Sequence, residues 1–154
     1  MYKKDFPYFT NSKTVYLDSG ATTQKPQSVI DATVEYYTKY CSNTHRSGFG
    51  DAAHATTEFE NTREVLRRFI NANKKEEIIF TKGVTESINF IASSFAYMFK
   101  TVIISSLEHH ANIVPWHMQG RFLNSGLEVV KCNENLDFDF EDFEEILKKN
   151  PNSF

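Results

Sequence analysis

At 154 residues the chain is long enough for one domain with a real core. It carries 17 basic and 20 acidic residues for a net charge of −3, and no basic stripe interleaved with aromatics, so nucleic-acid binding has little support. No stretch is apolar for long enough to span a membrane, Asp5, Pro7 and Asn11 break any signal-peptide core, and two cysteines, Cys41 and Cys132, lack the spacing of a zinc site or disulfide framework. A cytoplasmic metabolic protein without a structural metal is the expectation.

The elements follow in chain order. Pro26 suits a first helical position, and Val29, Ile30, Val34, Tyr36, Tyr37 and Tyr40 recur at helical spacing, predicting a helix over 26–40. A polar loop over 42–51 leads to a second helix over 55–70, with Phe59, Val65, Leu66, Phe69 and Ile70 facing inward and Arg67 and Arg68 at its negative end. Residues 71–75 close it. From Glu77 the order becomes strand, loop, helix: a short strand over 78–81, then a helix whose face is Ile88, Ile91, Ala92 and Phe95. The pattern recurs twice, as a strand over 101–105 with a helix over 112–123, and a strand over 127–131 with a helix over 139–149. Asp139, Glu141 and Asp142 at the start of that last helix, with Lys148 and Lys149 at its end, match the helix dipole. Alternating strands and helices predict a mainly parallel α/β sheet covered by helices on both faces.

In such a sheet, ligands bind beyond the carboxyl ends of the strands, which singles out two loops. Lys82-Gly83-Val84-Thr85-Glu86 joins a strand end to a helix start, where free N–H groups and the positive dipole end favour an anion such as a phosphate. Gly83 allows close backbone approach and Thr85 adds a hydroxyl; the plainer alternative is an ordinary capped turn. Glu108-His109-His110-Ala111-Asn112 follows the apolar run 101–105. Its histidines could serve chemistry near neutral pH, or only satisfy backbone groups and face solvent; adjacent histidines are not metal-ligand spacing. Asn112 suits a helix cap, and Trp116 reads as core. The His45–Arg46 pair in the loop after the first helix could bind a carboxylate, reach across a subunit interface or form a solvated charged surface. Cys41 and Cys132 read as buried structural thiols.

Taken together, Glu108-His109-His110-Ala111-Asn112-Ile113-Val114-Pro115-Trp116, Asn43-Thr44-His45-Arg46 and Gly83-Val84-Thr85-Glu86 resemble the group II (SufS-like) cysteine desulfurases of the class V aminotransferase superfamily. The resemblance runs from about Tyr16 to Leu147. It implies the PLP-dependent transferase fold (fold type I, aspartate-aminotransferase-like large domain), present here in part. It also implies pyridoxal 5′-phosphate as cofactor, with Gly83, Val84 and Thr85 holding its phosphate and His109 stacking on its pyridine ring and shuttling protons. Glu108 and His110 orient the loop, and Asn112, His45, Arg46 and Ala21, in the loop Asp18-Ser19-Gly20-Ala21-Thr22-Thr23, take substrate-side or supporting roles. Val84 and Gly20 depart from the family's usual residues, as does the short link between Phe95 and Thr101.

The resemblance further implies L-cysteine or a related amino acid as substrate, alanine and an enzyme persulfide as products, sulfur supply for iron–sulfur clusters, a homodimer and a sulfur-acceptor protein. Family enzymes are more than twice as long. The expectation is therefore a fragment, with residues 1–25 as an amino-terminal segment and 26–154 as the amino-terminal half of the cofactor-binding domain. The family's Schiff-base lysine, pyridine-nitrogen aspartate and persulfide cysteine have no match in it. Two other readings stand beside this one: another class V lyase or epimerase, and a catalytically silent interaction or dimerisation fragment.

Overall fold

The structure, a computed structural model, describes residues 2–44, 48–123 and 126–154. The chain forms two compact units, Met1–Ile78 and Ile79–Phe154.

In the first unit a 3₁₀ turn, Tyr2–Asp5, leads into the short helix α1, Pro7–Asn11, with Pro7 at the start where its missing N–H costs nothing. The chain then runs extended to a tight turn. The Asp18 carbonyl accepts the N–H groups of Ala21 and Thr22 at 3.2 and 3.1 Å, and the Tyr16 hydroxyl donates to the carbonyls of Asp18 and Thr22. Helix α2 spans Gln27–Glu35 and passes into a π-helical turn, Tyr36–Tyr40, so the helix predicted over 26–40 is present with its last turn widened.

Helix α3, Gly50–Phe69, begins five residues before the predicted start at 55. Its buried side chains are Ala52 and Ala55, small residues with high helix propensity that extend the helix toward the amino end. The predicted inward face is only partly realised: Val65, Phe69 and Ile70 are 60–85% exposed, because none of the described residues of this unit covers these three side chains. Asn71 stops it. With φ of 57° it takes the left-handed conformation, and the N–H groups of Asn71 and Ala72 reach back to the carbonyls of Arg68 and Arg67 at 3.2 and 2.9 Å.

The second unit holds the sheet. Strand β1, Thr101–Ser105, pairs in parallel with β2, Gly126–Val130, in the register Thr101 to Gly126 through Ser105 to Val130. Helix α4, Val84–Phe95, precedes β1 and helix α5, Val114–Leu123, connects β1 to β2. Helix α6, Phe140–Lys149, follows β2 and is capped by Asp139, whose carboxylate accepts the N–H groups of Glu141 and Asp142.

One face of the sheet carries Val102 and Ile104, packed with Ala92 and Ala96 before β1 and Trp116 of α5; Ile88, Ile113 and Leu127 close around them. Side chains alternate along a strand, so Val130 points to the other face. Val130 is 1% exposed, and α6, with Ile146 buried, lies against β2. Helices on both faces of a parallel pair match the predicted α/β layering.

The strand predicted over 78–81 does not form. Ile78 is buried, but Ile79 and Phe80 are exposed and the segment has no ladder partner among the described residues. Apolar sequence is insufficient for a strand, because its N–H and C=O groups must also find a neighbour. Both edges of β1 are taken. Beyond β2, the last residues 152–154 run alongside β1, with Phe154 N–H donating to Thr101 O and Ile103 N–H to Phe154 O, each at 2.9 Å. The α4 face also differs from expectation, since Ile88, Ala92 and Ala96 turn inward while Ile91 and Phe95 are exposed. Ala96 continues the inward stripe one turn past Ala92, in the 3₁₀ turn that links α4 to β1. Among the described residues no helix is long and apolar enough to cross a membrane, and no cluster of His, Cys, Asp or Glu could hold a metal.

Candidate functional site

The first turn of α4 begins at Gly83, whose carbonyl accepts the Ser87 N–H at 3.1 Å. The N–H groups of Val84, Thr85 and Glu86 therefore precede the first intrahelical bond, and among the described residues no side chain caps this end. The Glu86 carboxylate turns backward instead and accepts the N–H of Lys82. Thr81 and Ser87 join their hydroxyls at 2.7 Å across the base of the turn, and Thr81 also donates to Gly83 O at 3.2 Å. The Asn89 amide donates to Thr85 O at 2.8 Å.

Around this turn Lys82, Gly83, Thr85, Glu86 and Asn89 line an open recess of ≈ 480 Å³. Gly83 is extended, with φ 160° and ψ 178°, and a Cβ built on it meets no atom within 4 Å. Neither the backbone nor a protein neighbour demands glycine there. The space beside it, bordered by unpaired N–H donors and the Thr85 hydroxyl, suits a tetrahedral anion.

His109 lies past the carboxyl end of β1, exposed, and caps the 3₁₀ turn His110–Asn112. Its Nδ1 accepts the Ala111 N–H at 3.1 Å, so the neutral ring carries its proton on Nε2, the nitrogen without a partner in the turn. The His110 ring stands at 87° to it with centroids 6.3 Å apart. Helix α4 packs against this turn and against α5, so the helix bearing the recess and the turn bearing His109 belong to one packed unit.

Asn112 is not a helix cap. It ends the 3₁₀ turn, and its side chain bridges two others: Nδ2 donates to Glu108 Oε2 at 2.9 Å and Oδ1 accepts the Trp116 indole N–H at 3.0 Å. The other Glu108 oxygen accepts the Ser105 hydroxyl at 3.3 Å, at the last residue of β1. Glu108 thus links the end of β1 to Asn112, and Trp116 is core as expected, 6% exposed. Sequence reasoning missed Ser105 and the indole N–H as members of this chain of contacts. The spacing of Glu108, Asn112 and Trp116, four residues apart on successive turns, was the available signal.

Of the remaining candidates, Ala21 lies in the first unit, in the turn closed by Asp18 and Tyr16, and His45 and Arg46 fall outside the described residues. The thiols are not buried as expected: Cys41 is exposed, and Cys132 is half-buried just past β2, where it accepts the Ser106 hydroxyl at 3.2 Å.

The aminotransferase class-V family model matches residues 15–153. The chain belongs to that family. Members of the family depend on pyridoxal phosphate. A probable cysteine desulfurase of Borreliella burgdorferi is 43% identical over 141 residues, which is 86% of this class-V chain and 33% of the relative. One from Vibrio cholerae is 47% identical over 121 residues, 76% of this chain and 30% of the relative. Among solved structures, the apo cysteine desulfurase of Thermococcus onnurineus superposes with a TM-score of 0.86 at 34% identity, covering 95% of this chain and 36% of that one. An S-sulfonic acid form of a cysteine desulfurase from Escherichia coli gives 0.81 at 34% identity, covering 99% and 38%. The class-V chain thus spans about a third of the length of the relatives it matches, corresponding to their amino-terminal part.

Pyridoxal phosphate combines a phosphate dianion with a flat aromatic ring, and the second unit has groups of both kinds to meet it. The uncapped turn of α4 with its open glycine fits the phosphate, and the exposed His109 ring fits a stacking contact.

Proposed function

We propose that this class-V chain supplies the phosphate cradle and the ring-facing histidine of a cysteine desulfurase. Such an enzyme takes sulfur from L-cysteine, leaving L-alanine and an enzyme persulfide that feeds iron–sulfur cluster assembly in the cytoplasm. The observation that carries the reading is one packed unit holding both an uncapped helix N-terminus beside an open glycine and an exposed imidazole whose Nδ1 is already engaged.

In this reading the N–H groups of Val84 and Thr85 and the Thr85 hydroxyl hold the phosphate, and Gly83 leaves room for it. His109 lies against the pyridine ring and holds or moves a proton at Nε2. Ala21, His45 and Arg46 act on the substrate side, and residues 26–154 form the amino-terminal half of the cofactor domain. The cofactor, once bound, supplies an electron sink for the amino acid.

Neither thiol of this chain takes the persulfide role, and Lys82 borders the phosphate without being the family's covalent lysine. The chain by itself therefore binds cofactor weakly and without a covalent bond. A second copy of the chain and a sulfur-acceptor protein are its partners. Exposed apolar side chains such as Phe90, Phe95 and Met98 support association, which concentration-dependent light scattering checks; a compact monomer at every concentration would count against the homodimer.

The test of the site is a titration of the chain with pyridoxal phosphate followed by amide and imidazole NMR. Shifts should concentrate at 83–86 and at His109. Shifts confined to other residues, or none at millimolar cofactor, would refute the assignment.

A further inference from the structure

We propose that Asn112 is a positioning residue that holds the exposed His109 imidazole in one orientation and tautomer, transmitting to it the rigidity of the buried Trp116. The inference rests on the reading of His109 as the ring-facing group.

All three polar groups of Asn112 that can act on the loop are used. Its backbone N–H donates to the His109 carbonyl at 2.8 Å, its Nδ2 to Glu108 at 2.9 Å, and its Oδ1 accepts the Trp116 indole at 3.0 Å. Asn112 therefore pins the residue before His109 through a side chain and His109 itself through the backbone. The anchor at the far end is firm. Trp116 is 6% exposed, packed with Ala92, Ala96, Val102 and Ile104, and its ring lies 5.4 Å from that of Phe154.

At the near end Glu108 is tied to Ser105 at the carboxyl end of β1, whose hydroxyl also accepts the Leu107 N–H at 3.3 Å. The loop is thus held from the strand and from the helix at once. With both flanks fixed, the Ala111 N–H stays 3.1 Å from Nδ1, and the ring's proton stays on Nε2. Loosening either flank releases the Ala111 N–H from Nδ1, and the two neutral tautomers then compete as in a free imidazole. A residue with no chemistry of its own in this way decides which nitrogen faces the ligand.

The Glu108 carboxylate supplies the control, because a glutamine there keeps an oxygen for Asn112, can turn its amide N–H toward the Ser105 hydroxyl oxygen in place of the oxygen that accepted from it, and loses the charge. The experiment is long-range ¹⁵N–¹H NMR of the full chain without cofactor, at about pH 8.5, above the ordinary imidazole range. It compares the parent with Asn112→Asp, Trp116→Phe, Glu108→Ala and Glu108→Gln. The parent and Glu108→Gln are expected to show His109 as a single Nε2–H tautomer. In Asn112→Asp, Trp116→Phe and Glu108→Ala that signature should be lost to averaged ring-nitrogen shifts, while the amide spectrum of α6 stays in place. An unchanged His109 tautomer in Asn112→Asp and Glu108→Ala overturns the proposal, and so does its loss in Glu108→Gln. Should Trp116→Phe unfold the unit, the Glu108 pair, on the loop surface, decides alone. Because no cofactor is present, failure here is separate from failure of the site reading, which a parallel pyridoxal phosphate titration of the parent reports.

Discussion

Replacing Gly83 with aspartate should move stability and cofactor binding in opposite directions. A Cβ at Gly83 meets nothing within 4 Å and the backbone there is extended, so the substitution carries no steric cost. Aspartate caps a helix slightly better than glycine and adds a charge that the dipole favours, about 0.3–1 kcal/mol together. In a domain of this size that raises the melting midpoint by about 1–4 °C.

The same carboxylate stands where the phosphate would. At about 5 Å from a dianion, in an effective dielectric of about 40–80, repulsion costs about 2–3 kcal/mol, or roughly 30- to 150-fold in affinity. Fluorescence titration with pyridoxal phosphate at low salt reads the loss, a melt reads the gain, and Gly83→Ser serves as the uncharged control. Raising the salt to about 0.5 M should shrink the difference between the two variants, since screening then acts within a few ångströms. Equal affinity in the parent and Gly83→Asp, with both folded, would refute the phosphate assignment at this turn.

Val130 is 1% exposed on the sheet face next to α6, so Val130→Ala leaves a cavity and costs about 2 kcal/mol, lowering the urea midpoint by roughly 1 M; an unmoved midpoint would contradict its burial. Hydrogen bonds from Arg67 first, then Arg68, hold the Glu64 carboxyl at about 2, below its ordinary 4.5. A depressed folded value stabilises above the unfolded one and is lost as pH falls through the folded one. Helix α3 should therefore weaken from about pH 4.5 down to about 2, and Glu64→Gln should flatten that limb in an acid titration followed by circular dichroism. The chain incubated with pyridoxal phosphate and L-cysteine should release no alanine, and borohydride should trap no stoichiometric lysine adduct. A single adduct on one lysine, Lys82 being nearest the recess, together with alanine release would show a complete site in this chain.

The sequence by itself determined the elements whose signal is local. The β-branched run of β1, the acidic start and basic end of α6, and the alternation of strand and helix follow from periodicity and capping, which act within a few residues. The turn at Gly83 and the loop at His109 were legible for the same reason: each lies in a contiguous motif at the start of a helical segment. Partner-dependent features were decided only in three dimensions. Residues 78–81 have a strand's composition but no ladder among the described residues, while 152–154, which carry no strand signal, pair with β1 because its free edge is there. Phe69 and Phe95 sit at apolar positions of their helices yet are 85% and 46% exposed, since periodicity says which face is apolar and not whether anything covers it. Asn112 carried a cap's residue type, and only the placement of the Trp116 indole beside it made it a bridge between core and loop. A side chain's type fixes which hydrogen bonds it can make; the fold around it decides which of them it does make.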